Sequence, residues 1–254
     1  MRSIIERLSR QIVLRRKLPA EFGRRQIYVS PGSALRYWGK IDGVDPKLLH
    51  NADKLVRPND VVWDIGANVG LFAFSAAAKA GAGGTILAVE ADAWLVNLLM
   101  RSSGIQDSMS APVRVLSAAV SDSIGVASFH IAGRGRASNH LDGLQNSQAG
   151  GTQQIQSVLT VTLDWLLNHF PPPNLVKIDV EGAESLVLAG AERLLSQIRP
   201  RILCEVNAKS TEAVTKVFKH YGYLLEDADA DTAERRPLDH AAWNTLASPI
   251  PQFG

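Results

Sequence analysis

Cysteine, long apolar runs and charge of one sign are all scarce in this chain. Cys204 is the only cysteine in 254 residues, so an intrachain disulfide is excluded, and with it the stapled design of small secreted domains. Its neighbours Ile202, Leu203 and Val206 mark it as a buried, inert thiol. No stretch approaches the roughly 20 apolar residues of a membrane span. The leader holds no apolar run of signal-peptide length. The chain therefore reads as cytoplasmic. The net charge is only +2, yet residues 1–30 carry eight basic side chains against Glu6 and Glu21, so the remainder is acidic by about four charges. Hydrophobic residues make up 46% of the chain, enough for a sizeable core.

The pattern divides the chain into a basic helical and irregular segment, 1–50, and one α/β domain, 51–254, with a loop insertion at 132–152. Within 3–17, Ile5, Leu8 and Ile12 recur at helical spacing between arginines. Two readings stay open there: a helix packed on the domain, or a peripheral membrane or polyanion contact. The run Ala34–Lys40 sets Tyr37 and Trp38 beside Arg36 and Lys40, as local packing or as a cleft wall.

From Asp60 onward strands and helices alternate. Val61–Ile65, Thr85–Glu90 and Val113–Val120 read as buried strands, with helices over 70–80 and 92–102 between them. This order predicts a doubly wound, mostly parallel sheet with right-handed crossovers. Val126–Ile131 and Ser157–Val161 read as further strands flanking a long polar loop with five glycines. Thr162 is a predicted helix cap. Then come a strand at 175–180, a helix over 183–197, a strand at 201–206 and a helix over 210–220. Tyr223–Leu225 and Trp243–Ala247 are placed to pair as a hairpin.

The sharpest local signal is Asp64-Ile65-Gly66-Ala67-Asn68-Val69-Gly70, which leaves a strand and opens a helix. Counted from Gly66, the third and sixth positions are Asn68 and Leu71, so the dinucleotide fingerprint fails. The Gly-Lys-Ser/Thr ending of a phosphate loop is missing too. Asp64 would repel a pyrophosphate and suits a cationic ligand group. Glu90 ends the second strand, where a carboxylate accepts hydrogen bonds from ribose hydroxyls. Ala91 follows it. Ala119 and Asp122 lie after the third strand, where a base ring would rest. Asp64, Gly66, Asn68, Gly70, Glu90, Ala91, Ala119, Asp122 and Asp179 are the expected cofactor contacts.

The second unusual stretch is Val176-Lys177-Ile178-Asp179-Val180-Glu181-Gly182-Ala183-Glu184. Its carboxylates crowd a strand's C-terminal end, where open α/β sheets bind ligands. Asp179 and Glu181 are candidate catalytic bases, because neighbouring carboxylates push one pKa upward. Glu181 and Glu184 equally suit the start of a helix. Lys177 inside a strand is read as a partner of Asp64 or Asp179. His140, in the long loop, is the third catalytic candidate. Arg134 and Arg136 beside it are candidate contacts for a substrate phosphate or carboxylate. No metal site is expected, since Asp179 and Glu181 lack an evident third ligand.

These stretches, with Thr162-Leu163-Asp164 and Val187-Leu188-Ala189-Gly190-Ala191, resemble the FkbM family of methyltransferases over about residues 55–210. The resemblance implies a class I methyltransferase fold, S-adenosylmethionine as cofactor, and O-methylation of a sugar, glycolipid or polyketide-type hydroxyl. Ala91 departs from the family's common proline at that place. The expected partner is a small-molecule hydroxyl acceptor, with a homo-oligomer left open. A nucleic-acid methyltransferase is disfavoured, because Asp179-Val180-Glu181 stands where amino-methylating enzymes carry Asn/Asp-Pro-Pro-aromatic. A non-catalytic cofactor-binding scaffold is the other alternative.

Overall fold

The computed structural model describes residues 11–132, 138–142, 151–231 and 233–251. The leader departs from its helical periodicity. Leu14–Lys17 forms a strand, β1, paired antiparallel with Gln26–Val29, β2. The helix expected over 3–17 is thus corrected at its C-terminal end. Residues 3–10, which carry most of the membrane-surface reading, lie outside the described residues. Long-range contacts override local spacing here. The Arg16 guanidinium donates to the carbonyls of Tyr37, Trp38 and Gly39. Tyr28 lies beneath the Arg101 guanidinium, 4.1 Å from it. Pro46–Leu55 is helix α1, capped by the Asp45 carboxylate, which accepts from the Leu48 amide at 2.9 Å. Helix α1 crosses residue 50, and leader residues Leu18, Phe22, Ile27, Val29 and Tyr37 share one buried cluster with Leu49, Ala52 and Val62.

The alternation from Asp60 folds as its pattern demands. The elements are β3 (Val61–Ile65), α2 (Leu71–Ala80), β4 (Thr85–Glu90), α3 (Ala93–Ser103) and β5 (Val113–Ser117). Asp92 caps α3 through the Trp94 amide. The strand expected over 113–120 breaks at Ala118, whose amide donates to the Glu90 carbonyl. Beyond that break the chain enters a second sheet: β6 (Ala119–Val120), β7 (Gly125–Ala132), β8 (His140–Leu141) and β9 (Thr152–Val161). Its order is β6-β9-β7-β8.

Thr162 caps a single turn, α4 (Leu163–Leu166), through the Trp165 amide. Next come β10 (Leu175–Ile178) and α5 (Glu184–Ala189). The helix expected over 183–197 is corrected to α5 and a π turn at Leu194–Ile198. Gly190 ends α5 against the Ser121 carbonyl and Thr162, and the Asp164 carboxylate accepts from the Arg193 and Leu194 amides to start the second piece. The remaining elements are β11 (Arg201–Glu205), α6 (Thr211–His220), β12 (Tyr223–Asp227) and β13 (Asn244–Pro249).

The main sheet has seven strands in the order β12-β13-β11-β10-β3-β4-β5. Strands β11 to β5 run parallel, and β13 is antiparallel to both neighbours. The expected terminal hairpin forms, and β13 slots between β12 and β11. Alternate side chains feed two cores, as a pleat requires. Val62, Ile86 and Leu203 face α1 and α2 with the leader, while Trp63, Val89, Val176 and Cys204 face α5 and α6. Cys204 is fully buried, and burial pushes its thiol pKa up. Among the described residues no helix is long and apolar enough to cross a membrane.

Candidate functional site

Strand polarity puts the C-terminal ends of β3, β4 and β10 together, and the second sheet roofs the space above them. The chain order reverses here: β4 follows β3 to one side and β10 lies on the other, which makes a topological switch point. The space is a cavity of about 110 Å³, placed where open α/β sheets bind their ligands. Gly66, Asn68, Glu90 and Ala91 form one side, and Asp179, Val180 and Glu181 another. Leu95, Ala118, Ala119, Val120, Phe129 and Leu141 supply an apolar wall.

Gly66 joins two of these sides. Its φ of +76° is a left-handed conformation, and a Cβ there would fall on the Asp179 carbonyl oxygen. Its amide donates to Val89. Asn68 also sits at positive φ, +52°. Its amide donates to Glu90 Oε2 at 2.8 Å, and its own Oδ1 is buried without a hydrogen-bond partner. Glu90 Oε1 accepts from the Asp92 amide at 2.8 Å. Glu90 is buried, and burial pushes its carboxyl up to about 7 against those amide donors. Each oxygen keeps a lone pair for a further donor.

Lys177 and Asp64 are direct partners on β10 and β3. The Lys177 ammonium donates to the Gly66 carbonyl at 2.9 Å and pairs with Asp64 at 3.2 Å and Asp179 at 3.3 Å. Burial works against its charge, but Asp179 and Asp64 outweigh burial and raise its pKa above the ordinary lysine value. Asp179 carries its carboxylate to the cavity, 30% exposed. Glu181 lies at the rim with φ +53°, next to Gly182 at +103°. Glu184 is buried at the foot of this loop, accepting from the Gly182 amide at 2.8 Å and the Ser210 hydroxyl at 3.1 Å.

Six expected contacts, Gly66, Asn68, Glu90, Ala91, Ala119 and Asp179, thus line one cavity, as does the catalytic candidate Glu181. Four other expected residues lie elsewhere. Asp64 is fully buried against Lys177. Gly70, at φ +87°, starts α2, and its missing Cβ leaves room for Phe74 and Leu99. Asp122 is exposed and accepts from the Ser121 and Ser123 hydroxyls. His140 stacks on His130 with ring centroids 5.4 Å apart, while its neighbours Asn139 and Leu141 face the cavity; strand alternation turns it away. Arg134 and Arg136 lie outside the described residues.

Sequence reasoning missed Asn139. It is buried, donates to Asp92 Oδ2 at 2.9 Å and accepts from the Ala132 amide at 2.8 Å. It thereby ties the second sheet to the capped start of α3. Phe129 was also missed, since β7 showed only that it faced one side. Among the described residues no group of three His, Cys, Asp or Glu is placed to hold a metal ion.

The cavity suits an adenosine-like ligand. It pairs an apolar slot with a deep carboxylate and an orphaned amide oxygen, and among the described residues no lysine or arginine lines it. The Methyltransferase FkbM domain family matches residues 64–225. The hexuronic acid methyltransferase AglP of Haloferax volcanii is 27% identical over 163 residues, 63% of this chain and 60% of that protein. The chain thus matches less than two thirds of that relative's length. Among solved structures, a methyltransferase FkbM from Methylobacillus flagellatus aligns with TM-score 0.47 and 13% identity, over 78% of this chain and 50% of that one. A precorrin-6y C5,15-methyltransferase from Geobacter metallireducens aligns with TM-score 0.47 and 13% identity, over 82% and 88%. With a family match over more than half its length, this chain belongs to the FkbM family of S-adenosylmethionine-dependent methyltransferases.

Proposed function

We propose that this chain is an O-methyltransferase that moves a methyl group to a hydroxyl of a sugar, glycolipid or polyketide-type molecule. One observation carries the reading: a buried carboxylate, Glu90, and a half-exposed one, Asp179, face the same apolar cavity at the strand tips. When bound, S-adenosylmethionine supplies an electrophilic methyl group on a positively charged sulfur.

The chain's residues have distinct parts to play. Glu90 accepts hydrogen bonds from the ribose diol. Val89, Ala118, Val120 and Leu141 sandwich the base and exclude water from it. Asn68 Oδ1 takes a donor from the same ligand. Asp179 pairs with Lys177 at 3.3 Å, and its exposed carboxylate attracts the ligand's cationic end. Asp179 and Glu181, both at the rim, are the groups to receive the hydroxyl proton. Alignment of the acceptor supplies the rest of the rate. The name of the Haloferax relative supports a sugar-type acceptor.

Calorimetry with S-adenosylhomocysteine, followed by its release during turnover on a panel of methyl glycosides, tests the reading. Saturable binding with release dependent on a hydroxyl compound supports it. Binding of a nicotinamide dinucleotide or a nucleoside triphosphate in its place rejects it.

A further inference from the structure

Asp179 borders two cavities. The second, about 210 Å³, opens on the far side of β10 between the start of α1 and the ends of β11 and β13. Asp45, Asn51, Lys177, Glu205, Asp229 and Trp243 are among its lining residues. None of them except Asp179's neighbour Lys177 takes part in the cofactor contacts described above.

Two features mark this cavity as a place for a ligand. Asn51 is 2% exposed, lines the cavity, and its side-chain oxygen has no hydrogen-bond partner. A buried amide oxygen left in this state costs about 1–3 kcal/mol unless a donor arrives. Trp243 presents 58% of its surface at the mouth although its backbone carbonyl is fixed by the Val206 amide. A flat aromatic beside carboxylates and an amide matches a polyol: ring face against C–H groups, hydroxyls to the planar acceptors.

The charges then narrow the class. Lys47 is committed to Asp229 at 2.6 Å, and Lys177 is shared by Asp64 and Asp179. Among the described residues no lysine ammonium lies within ion-pair distance of Asp45 or Glu205. Glu205 reports the resulting field: burial, Asp179, Glu181 and Asp45 push its carboxyl up to about 8, against the opposing pull of Lys177. A ligand carboxylate placed there meets the same repulsion.

Building on the methyltransferase reading, we infer that this second cavity is the acceptor site, and that it takes an uncharged polyol and disfavours a sugar acid. Asn51 Oδ1 and Glu205 accept its hydroxyl protons as hydrogen bonds, Trp243 packs on its carbon face, and Asp179 meets it from the cofactor side. The selectivity is opposite in charge to the hexuronic acid named for the Haloferax relative.

The test is titration of the full chain, with S-adenosylhomocysteine present, by methyl glucoside and by methyl glucuronide, read by calorimetry and ligand-observed NMR. The glucoside is expected to bind at least about tenfold more tightly. Asn51→Leu is expected to weaken the glucoside about tenfold with S-adenosylhomocysteine affinity unchanged. Trp243→Ala, at an exposed position that does not threaten the fold, is expected to do the same. Glu205→Gln is expected to shrink the penalty on the glucuronide above pH about 8, where Glu205 is ionised. The acceptor inference alone is overturned if S-adenosylhomocysteine binds but the glucuronide matches or exceeds the glucoside, if neither sugar binds, or if both Asn51→Leu and Trp243→Ala change nothing. Selective glucoside binding without S-adenosylhomocysteine binding overturns the cofactor reading alone, and failure of both ligands overturns both.

Discussion

The Asp179 carbonyl oxygen occupies the place where any residue but glycine at position 66 would put its Cβ. The tips of β3 and β10 therefore close on each other at the floor of the cofactor cavity. Gly66→Ala adds a left-handed backbone cost of about 1–2 kcal/mol and forces the 179–183 loop outward. Melting temperature and S-adenosylhomocysteine affinity are both expected to fall, the affinity by at least about tenfold. Gly70→Ala is the matched control, since its Cβ meets Phe74 and Leu99 away from the cavity. It is expected to lower the melting temperature and leave the affinity of the folded protein within about twofold. Equal loss of affinity in both variants would refute this division of roles.

Glu90 gives cofactor binding a pH dependence of definite sign. Burial pushes its carboxyl up to about 7 in the folded chain, from an ordinary 4.5. Between those values the folded state holds a proton that the unfolded chain has lost, so Glu90 stabilises the fold less as pH rises through the window. Ribose donors need the ionised form. Binding should therefore tighten with rising pH, by up to about tenfold per unit below pH about 7, and then level off. Proton release on binding, measured by calorimetry in two buffers of different ionisation enthalpy, checks this. Glu90→Gln should remove the release, and Glu205→Gln, outside that cavity, should keep it.

The parts of this fold that were legible in the sequence are those set by short-range rules. Val61–Ile65, Thr85–Glu90 and Leu175–Ile178 are short, largely apolar runs of the kind a buried parallel sheet needs, and Asp92 and Thr162 cap the helices they precede. The glycine turn, Glu90 and Asp179 converge because each ends one of three adjacent strands. What was illegible depended on distant partners. Leu14–Lys17 closes the stretch whose Ile5, Leu8 and Ile12 have helical spacing, but it pairs as a strand with Gln26–Val29, and its Arg16 side chain is held by the carbonyls at 37–39. The break of the 183–197 helix needs Thr162 and Asp164, which are remote in sequence. Asp64 looked like a ligand contact because a strand-end acid often is one. Its register opposite Lys177, set by β10 pairing, turned it inward.

His140 and Asn139 separate by one residue of strand alternation. Asn139 faces the cavity and holds Asp92 and the Ala132 amide, whereas His140 stacks on His130 on the other side. Asn139→Ala removes two buried hydrogen bonds, to the Ala132 amide and to Asp92 Oδ2, and is expected to cost about 1–3 kcal/mol of stability together with cofactor affinity. His140→Ala should lose the His130 stack and the contact of Nδ1 with the Ser138 carbonyl, with S-adenosylhomocysteine affinity within about twofold of wild type. Denaturant midpoints and calorimetry on the two variants decide it. A His140→Ala protein with abolished binding would return the histidine to the site.

Lys177 holds two carboxylates whose surroundings differ, and that difference predicts unequal consequences. Asp64 has no exposed side-chain surface, whereas Asp179 keeps 30%. Lys177→Met removes the cation from both. Asp179 can rehydrate, but Asp64 is left as an uncompensated buried charge, worth about 3–5 kcal/mol of destabilisation. The damage should therefore be relieved by Asp64→Asn in the same chain and little altered by Asp179→Asn. The pH dependence follows: Lys177→Met alone should gain stability on acidification, because protonating Asp64 removes the stranded charge. Urea midpoints for the two double variants at acidic and neutral pH measure it. Equal rescue by the two asparagines would mean that Lys177 serves the rim of the site as much as the interior of the sheet.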